Sequence, residues 1–348
     1  MSSVSDLRPP LLNDSARPVF RRALLRWYDH NRRDLPWRRT RDPYRIWLSE
    51  IMLQQTRVAA VLEHYRLFLE SFPDIRRLAA ASESAVLAAW SGLGYYRRAR
   101  MLRCCAQKIV DEHCGRFPQT SEDLLTLPGI GRYTAAAIAS IAFAEPIAVV
   151  DGNVERVLQR LAGRGLTSKE MWQRAQILLN KSRPADFNQA MMELGAVVCT
   201  PRQPKCGACP LRKWCATRGE SPRLTSSKRQ AKKEIWYSLD QHDAHIRLVQ
   251  RPKDSSLMAS MWELPHLKPL LTASKEEEQK NNEVPMGRKK NEAPWRTFRH
   301  SITVTDYTVH VMRTAMRPAQ GKWIAMNEIP KLPITGLTRK ILKAAGII

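Results

Sequence analysis

The sequence predicts a mainly α-helical N-terminal region joined to an α+β C-terminal domain. Three observations carry that expectation. Apolar residues recur at helical spacing almost without interruption from about Val19 to Lys181. Four of the seven cysteines then fall in one short loop, Cys199, Cys206, Cys209 and Cys215, spaced C-x6-C-x2-C-x5-C. Beyond a polar, basic stretch the pattern changes to alternating, β-rich runs. These changes divide the chain into a tail over 1–18, a helical domain over 19–216, a linker over 217–233 and a second domain over 234–348.

Val19, Phe20, Ala23, Leu24, Trp27 and Tyr28 signal the first helix. Ile46, Trp47, Ile51, Leu53, Val58, Val61, Leu62, Tyr65 and Leu69 continue the same period through a second, longer segment. Pro73, Pro118, Pro128 and Pro146 punctuate the chain where helices should start or stop. Ser121 with Glu122 and Asp123 reads as a helix start, with negative charge at the positive end of the dipole. Leu127-Pro-Gly-Ile-Gly-Arg-Tyr133 is a tight turn ahead of a small-residue helix that runs to Ala144. After Cys215, Thr217–Lys233 is polar and basic, as a linker would be. Ile235–Leu239, Ala244–Val249 and Ser301–Val311 read as strands, and the charged run Thr272–Asn291 as a loose loop.

The net charge is +24, with 57 Lys and Arg against 33 Asp and Glu. Such an excess attracts a polyanion, and nucleic acid is the usual one. The longest apolar stretch, Ala135–Ala144, is too short to span a bilayer, and no secretory signal is seen at the N-terminus. The expectation is a soluble, monomeric protein, cytoplasmic and DNA-associated, with no membrane partner. In a reducing compartment, clustered cysteines read as metal ligands rather than disulfides. Four thiolates suit an iron–sulfur cluster or zinc, and spacing alone leaves both open. Cys104, Cys105 and Cys114 show no such spacing and read as core or surface thiols.

Four further segments carry possible chemistry. The turn at Gly129 and Gly131 has the form of a helix-hairpin-helix element, whose backbone N–H groups can grip a phosphate without reading a base. In Ala148-Val-Val-Asp-Gly-Asn-Val154 an apolar run delivers Asp151 to a turn; taken alone, an ordinary helix N-cap explains it as well. In Trp47-Leu-Ser-Glu-Ile-Met-Leu-Gln-Gln-Thr-Arg57, periodicity puts Glu50 on a solvated helix face. The uncharged patch of Gln54, Gln55 and Thr56 after it is unusual in so basic a chain. Gly92-Leu-Gly-Tyr-Tyr-Arg-Arg98 sets two aromatics beside two arginines, a combination suited to wedging between bases, or a turn flanked by core tyrosines.

The segments LPWR, SEIMLQQTRV, GLGYYRRAR, LPGIGRYTA, VDGNV and FNQAMMELGA, followed by the four-cysteine loop, occur in the order seen in adenine DNA glycosylases of the MutY type. The chain resembles these members of the helix-hairpin-helix glycosylase superfamily from Val19 to Cys215 without an evident gap. The resemblance implies two helical lobes with a DNA-binding cleft between them, and a [4Fe–4S] cluster on Cys199, Cys206, Cys209 and Cys215. It implies that adenine opposite 8-oxoguanine or guanine in double-stranded DNA is flipped out and hydrolytically removed. Glu50 would protonate the adenine ring, and Asp151 would stabilise or bond to the cationic sugar, a division of labour like that in glycoside hydrolysis. Glu50 must stay protonated near neutral pH, which apolar neighbours favour, and Asp151 ionised, which turn N–H groups favour. Tyr133 and Asn153 match positions near the sugar; Trp37, Arg38 and Glu193 match the adenine pocket. Gln55, Thr56, Leu93 and Tyr95 match residues that enter the duplex. Leu127, Gly129 and Gly131 would present backbone to a phosphate, with a monovalent cation. On family grounds a sliding clamp or mismatch-repair protein is a candidate partner.

The neighbouring endonuclease III type carries a lysine where this chain has Tyr133, and that amine forms a Schiff base with the sugar. Tyrosine implies base excision without strand cleavage. A pyrimidine-lesion glycosylase and a non-catalytic iron–sulfur DNA-binding protein are the alternatives, and the latter has no need of both Glu50 and Asp151. From Trp236 onward the chain resembles the Nudix-like domain that helps to read 8-oxoguanine, without a REXXEE-type metal-binding helix. It departs from that pattern at Ile302-Thr303-Val304, where many members read Phe-Ser-His, leaving Thr303 as the one hydroxyl.

Overall fold

The computed structural model describes residues 12–218, 231–255, 257–267, 293–302, 305–313 and 321–348. They form two compact units, residues 1–80 with 101–225 and residues 81–100 with 226–348. In chain order the helices are α1 (Ala16–Asn31), α2 (Pro43–Leu53), α3 (Val58–Ser71), α4 (Ile75–Ala80), α5 (Glu83–Ala89) and α6 (Arg97–His113). They continue with α7 (Ser121–Leu124), α8 (Arg132–Ala142), α9 (Gly152–Ala162), α10 (Ser168–Leu178), α11 (Pro184–Val197) and α12 (Gly336–Ala344).

In the first unit α2 and α3 pack with α7 and α8, while α1 and α9 pack on α11 and α10 packs on α9. These two helical groups meet where α8 lies against α11. The close approach is possible because α8 is made of small residues: Thr134 to Ile141 are all buried. The second group encloses Phe20, Leu24, Tyr28, Val154, Leu158, Phe187 and Met191. Local signals fix the helix starts. Asp42 accepts from Tyr44 N–H at 2.9 Å ahead of Pro43, and Thr167 with Glu170 forms a capping box on α10.

Two expectations shift. The segment of helical period from Ile46 to Leu69 is two helices, because the chain breaks between Leu53 and Val58 with Gln55 in the left-handed region at φ 55°. Apolar spacing runs across the break, and no glycine or proline announces it. The helix start expected at Ser121 is where α7 begins, capped by Thr120, whose hydroxyl accepts from Asp123 N–H at 3.1 Å. The run Ser301–Val311 spans the end of one strand and most of the next, since two β-forming stretches adjoin without a turn residue between them.

The second unit holds β1 (Ala231–Ser238), β2 (Gln241–His242), β3 (His245–Gln250), β4 (Trp262–Glu263), β5 (Arg296–Ile302), β6 (Thr305–Met312) and β7 (Lys322–Ala325). The first sheet has the order β1-β6-β5, with β1 parallel and β5 antiparallel to β6. In the second, β3 pairs antiparallel with β2, β4 and β7. Ile246, Leu248, Leu264, Val309, Val311, Ile341 and Leu342 form the core. The expected loop Thr272–Asn291 and Thr303 lie outside the described residues.

Candidate active site and cysteine loop

The first unit brings Glu50, Tyr133, Asp151, Asn153, Arg38 and Glu193 toward one place, from α2, α8, α9 and α11. Glu50 sits on α2 with only 6% of its surface exposed, not on the solvated face that periodicity alone favoured but in the apolar surroundings that the resemblance implied. Ile46 to Met52 are all buried, so α2 has no free face there and periodicity had none to report. Burial pushes the Glu50 carboxyl up to about 7; a hydrogen bond from Tyr133 opposes that rise, and the negative charge of Asp151 adds to it. Tyr133, one residue into α8, donates its hydroxyl to Glu50 Oε2 at 2.5 Å and lies 3.4 Å from Met192 Sδ on α11. Burial first, then the two carboxylates, raise the Tyr133 phenol well above its ordinary value, so it remains a donor.

Asp151 is the N-cap of α9. Its Oδ1 accepts from Asn153 N–H at 3.0 Å and Val154 N–H at 2.7 Å, and its Oδ2 accepts from Asn153 Nδ2 at 2.9 Å. The cap role and a catalytic role therefore do not compete: capping orients the carboxylate at the positive end of a helix. Asn153 is held in turn. Gly195 of α11 packs so closely that a Cβ there would meet Asn153 Cβ at 2.6 Å.

Glu193 is fully buried and accepts from Arg33 Nε and Nη2 at 2.7 Å each, from Arg33 N–H at 3.1 Å and from Arg38 Nη2 at 2.8 Å. Burial alone would raise its carboxyl, but the hydrogen bonds from Arg33 and Arg38 outweigh that and hold it at about 2. It anchors the segment carrying Trp37, whose buried ring meets Tyr65 edge-on at 5.3 Å. Gln55 is exposed and Thr56 half-buried at the α2–α3 break. Leu127 is buried, and Gly129 has φ 76° with Met101 Cβ only 2.8 Å from where its own Cβ would stand. Gly131 caps α8 without a side-chain bond, which leaves the first N–H groups of that helix to an outside acceptor. Leu93 and Tyr95 belong to the second unit; Leu93 is buried and Tyr95 is 48% exposed.

Sequence reasoning missed Arg33, Arg156 and Arg160. Arg156 donates to Cys199 O at 2.8 Å, Gly195 O at 2.7 Å and Asn153 Oδ1 at 2.7 Å. Arg160 donates to Cys199 Sγ at 3.3 Å, Thr200 O at 2.7 Å and Pro201 O at 2.9 Å. Asn153, Arg156 and Arg160 recur at helical spacing, so this polar stripe on α9 was available to the eye.

The four loop cysteines are each half-buried, and the Cys206 and Cys209 thiols are pushed up by burial and by their neighbouring sulfurs. They do not close on a point: among the described residues no three His, Cys, Asp or Glu side chains are gathered for a single metal ion. Four thiols near enough for Cys206 and Cys209 to feel Cys199 and Cys215, with Arg160 on the Cys199 sulfur, are a donor set that fits an iron–sulfur cluster.

Residues 48–180 match the family described as HhH-GPD superfamily base excision DNA repair protein. Residues 199–215 match the iron-sulfur binding domain of endonuclease III, and residues 235–344 a NUDIX domain. Adenine DNA glycosylase of Buchnera aphidicola subsp. Baizongia pistaciae is 35% identical over 244 residues, which covers 67% of this chain and 70% of the relative. The chain belongs to the adenine DNA glycosylase family. It is 50% identical to human adenine DNA glycosylase over 215 residues, 58% of this chain and 39% of the human protein, so it spans about two fifths of that relative's length. Among solved structures, a thermostable thymine-DNA glycosylase superposes with a TM-score of 0.56 at 33% identity, over 59% of this chain and 97% of that one. A trapped endonuclease III–DNA intermediate does so at 0.53 and 23%, over 60% and 97%, a likeness of fold. The cysteine loop over residues 199–215 is a [4Fe–4S] site. No helix among the described residues is long and apolar enough to cross a membrane.

Proposed function

We propose that the chain is an adenine-specific DNA N-glycosylase of base excision repair, acting on adenine opposite 8-oxoguanine or guanine without cleaving the strand. The observation that carries this reading is the buried Glu50, with its carboxyl at about 7, close enough to Asp151 to feel its charge. Near neutral pH a large fraction of Glu50 holds a proton, which it gives to a ring nitrogen of the flipped adenine. The bond from the sugar carbon to the base nitrogen then breaks, and its electron pair leaves with adenine. The positive charge left on the sugar is balanced by the Asp151 carboxylate, and water adds to that carbon while its proton returns to Glu50. Tyr133 aims the Glu50 carboxyl and supplies no amine for a Schiff base. Arg38, Trp37 and Glu193 wall the base, while Gly129, Gly131 and Leu127 present hairpin backbone to a phosphate, with a monovalent cation. Thr303 contributes to reading the opposite base. Cys199, Cys206, Cys209 and Cys215 would hold the [4Fe–4S] cluster, which would fix its loop in place and leave the bond breaking to Glu50 and Asp151.

The deciding experiment is single-turnover excision on A:8-oxoguanine, A:G and thymine-glycol duplexes with the parent, Glu50→Gln and Asp151→Asn. Adenine release by the parent alone, with little borohydride-trapped complex, is the expected outcome. Release of the pyrimidine lesion, or abundant trapping, overturns the reading.

A further inference from the structure

The segment 81–100 is covalently part of the helical chain, yet it is compact with residues 226–348. It carries the Gly92–Tyr95 loop, and two sets of contacts fix that loop. From within, Arg98 stands over the Trp90 ring at 5.3 Å and the Tyr95 ring at 5.4 Å, and its Nη2 donates to Leu93 O and Gly94 O at 3.2 Å each. Trp90 Nε1 also donates to Gly94 O at 3.1 Å. These bonds hold Tyr95 at φ 48°, a left-handed conformation that a tyrosine adopts only when its surroundings impose it. From the C-terminal side, Ser91 Oγ donates to Ile334 O at 2.8 Å, and Arg339 Nε of α12 donates to Ser91 Oγ at 3.0 Å. Tyr96 is a bridge: its hydroxyl accepts from Gly92 N–H and donates to Ile334 O, both at 3.4 Å. Ile334 is a core residue of the C-terminal sheets, so the carbonyl that anchors the loop does not move independently of them.

We propose that the C-terminal part of this unit sets the conformation of the Gly92–Tyr95 loop, with Ser91, Tyr96 and Arg339 as positioning residues and Arg98 as its staple. The exposed Tyr95 ring is thereby presented to duplex DNA already shaped. This rests on the glycosylase reading for its consequence, since insertion of Tyr95 would assist extrusion of the target base. It gives the C-terminal domain a second task, mechanical rather than recognitional: the domain that meets the opposite base also stiffens the element that opens the duplex. A loop held in advance loses less freedom on insertion than a slack one.

The test uses the full chain with its cluster and a duplex carrying 2-aminopurine beside the target adenine, whose fluorescence rises as the base leaves the stack. Ser91→Ala and Arg339→Met are each expected to slow that rise about fivefold, the worth of one hydrogen bond. Excision from the A:8-oxoguanine duplex slows equally. Excision of an adenine already unpaired opposite an abasic site stays within about twofold of the parent, because little extrusion remains to be assisted. Ser91→Thr, which keeps the hydroxyl, restores the parent rate. An unchanged fluorescence rise in both variants overturns the proposal, as does equal loss on paired and unpaired adenine. A parent that extrudes the base but releases no adenine refutes the enzymatic reading alone, and the fluorescence comparison still judges the positioning role.

Discussion

Replacing Glu50 by glutamine separates two consequences of its burial. The side chain is 6% exposed, and its carboxyl rises from an ordinary 4.5 to about 7, chiefly by desolvation. A shift of that size is worth about 3 kcal/mol, at about 1.4 kcal/mol per unit. The sign follows from which state binds the proton more tightly. Below the unfolded value both states are protonated and Glu50 costs nothing. As pH rises from 4.5 the unfolded chain ionises first, so stability falls, and the loss is complete above about 7. Glutamine is neutral throughout and can still accept from the Tyr133 hydroxyl. The variant should therefore match the parent at pH near 4.5 and exceed it by about 3 kcal/mol at pH 8, a Tm gain of roughly 6 °C or more. Adenine release should be lost at every pH. Paired melting curves of parent and variant across this range, followed by circular dichroism, measure the difference. A variant equally stable at both ends, or less stable at pH 8, would refute the claim that Glu50 is kept protonated by burial. Parent activity should likewise fall as pH rises through about 7.

Other substitutions probe the supports of the two carboxylates. Gly195→Ala forces a Cβ against Asn153 and should cut single-turnover excision at least about tenfold while leaving DNA affinity nearly intact, since what moves is Asp151 and not the hairpin. Glu193→Ala strands Arg38, whose side chain is 11% exposed, beside Arg33, and should cost about 3 kcal/mol in chemical unfolding. Gly129→Ala meets Met101 and a left-handed φ, and should weaken binding to undamaged and mispaired duplexes alike in a salt-dependent assay. Thr303→Ala is expected to lower the preference for 8-oxoguanine over guanine only modestly; a loss equal to deleting the whole C-terminal domain would contradict that role.

The helices, the hairpin and the thiol loop were legible because each has a local cause: a 3.6-residue period, a glycine where φ is positive, a ligand spacing. Asp151 was legible as a cap and only through family likeness as a catalyst, because the same turn serves both. Glu50 was misjudged by periodicity alone, since a helix buried nearly all round has no polar face to reveal. The α2–α3 break was hidden because Gln55 holds left-handed backbone with no glycine or proline beside it; at the Gly92–Tyr95 turn the glycines are visible, but the left-handed Tyr95 after them is not. At Tyr95 the conformation is imposed by the contacts of Trp90 and Arg98 with the loop, which the propensity of the tyrosine itself does not encode. The Arg33–Glu193–Arg38 set joins residues about 160 apart in the chain, so nothing short of the fold could pair them.

The two carboxylates proposed for the reaction need opposite surroundings, and the fold takes them from different helical groups. Glu50 comes from the middle of a buried helix, where the Tyr133 phenol and the charge of Arg38 offset only part of the desolvation. Asp151 comes from the start of a helix, where it accepts from two backbone N–H groups and from the side-chain amide of Asn153. A helix end is also its most easily frayed part. The chain restrains this one from its far side: Asn153, which holds Asp151, is held by Arg156, and Arg156 is bonded to the carbonyl of the first cluster cysteine. Arg160, one turn on, ties the same loop at Cys199 Sγ and two further carbonyls. The cysteine loop thus needs no part in bond breaking to matter for it. Its contribution is to stiffen the N-terminus of α9, the one place in the site where position depends on a cap rather than on burial.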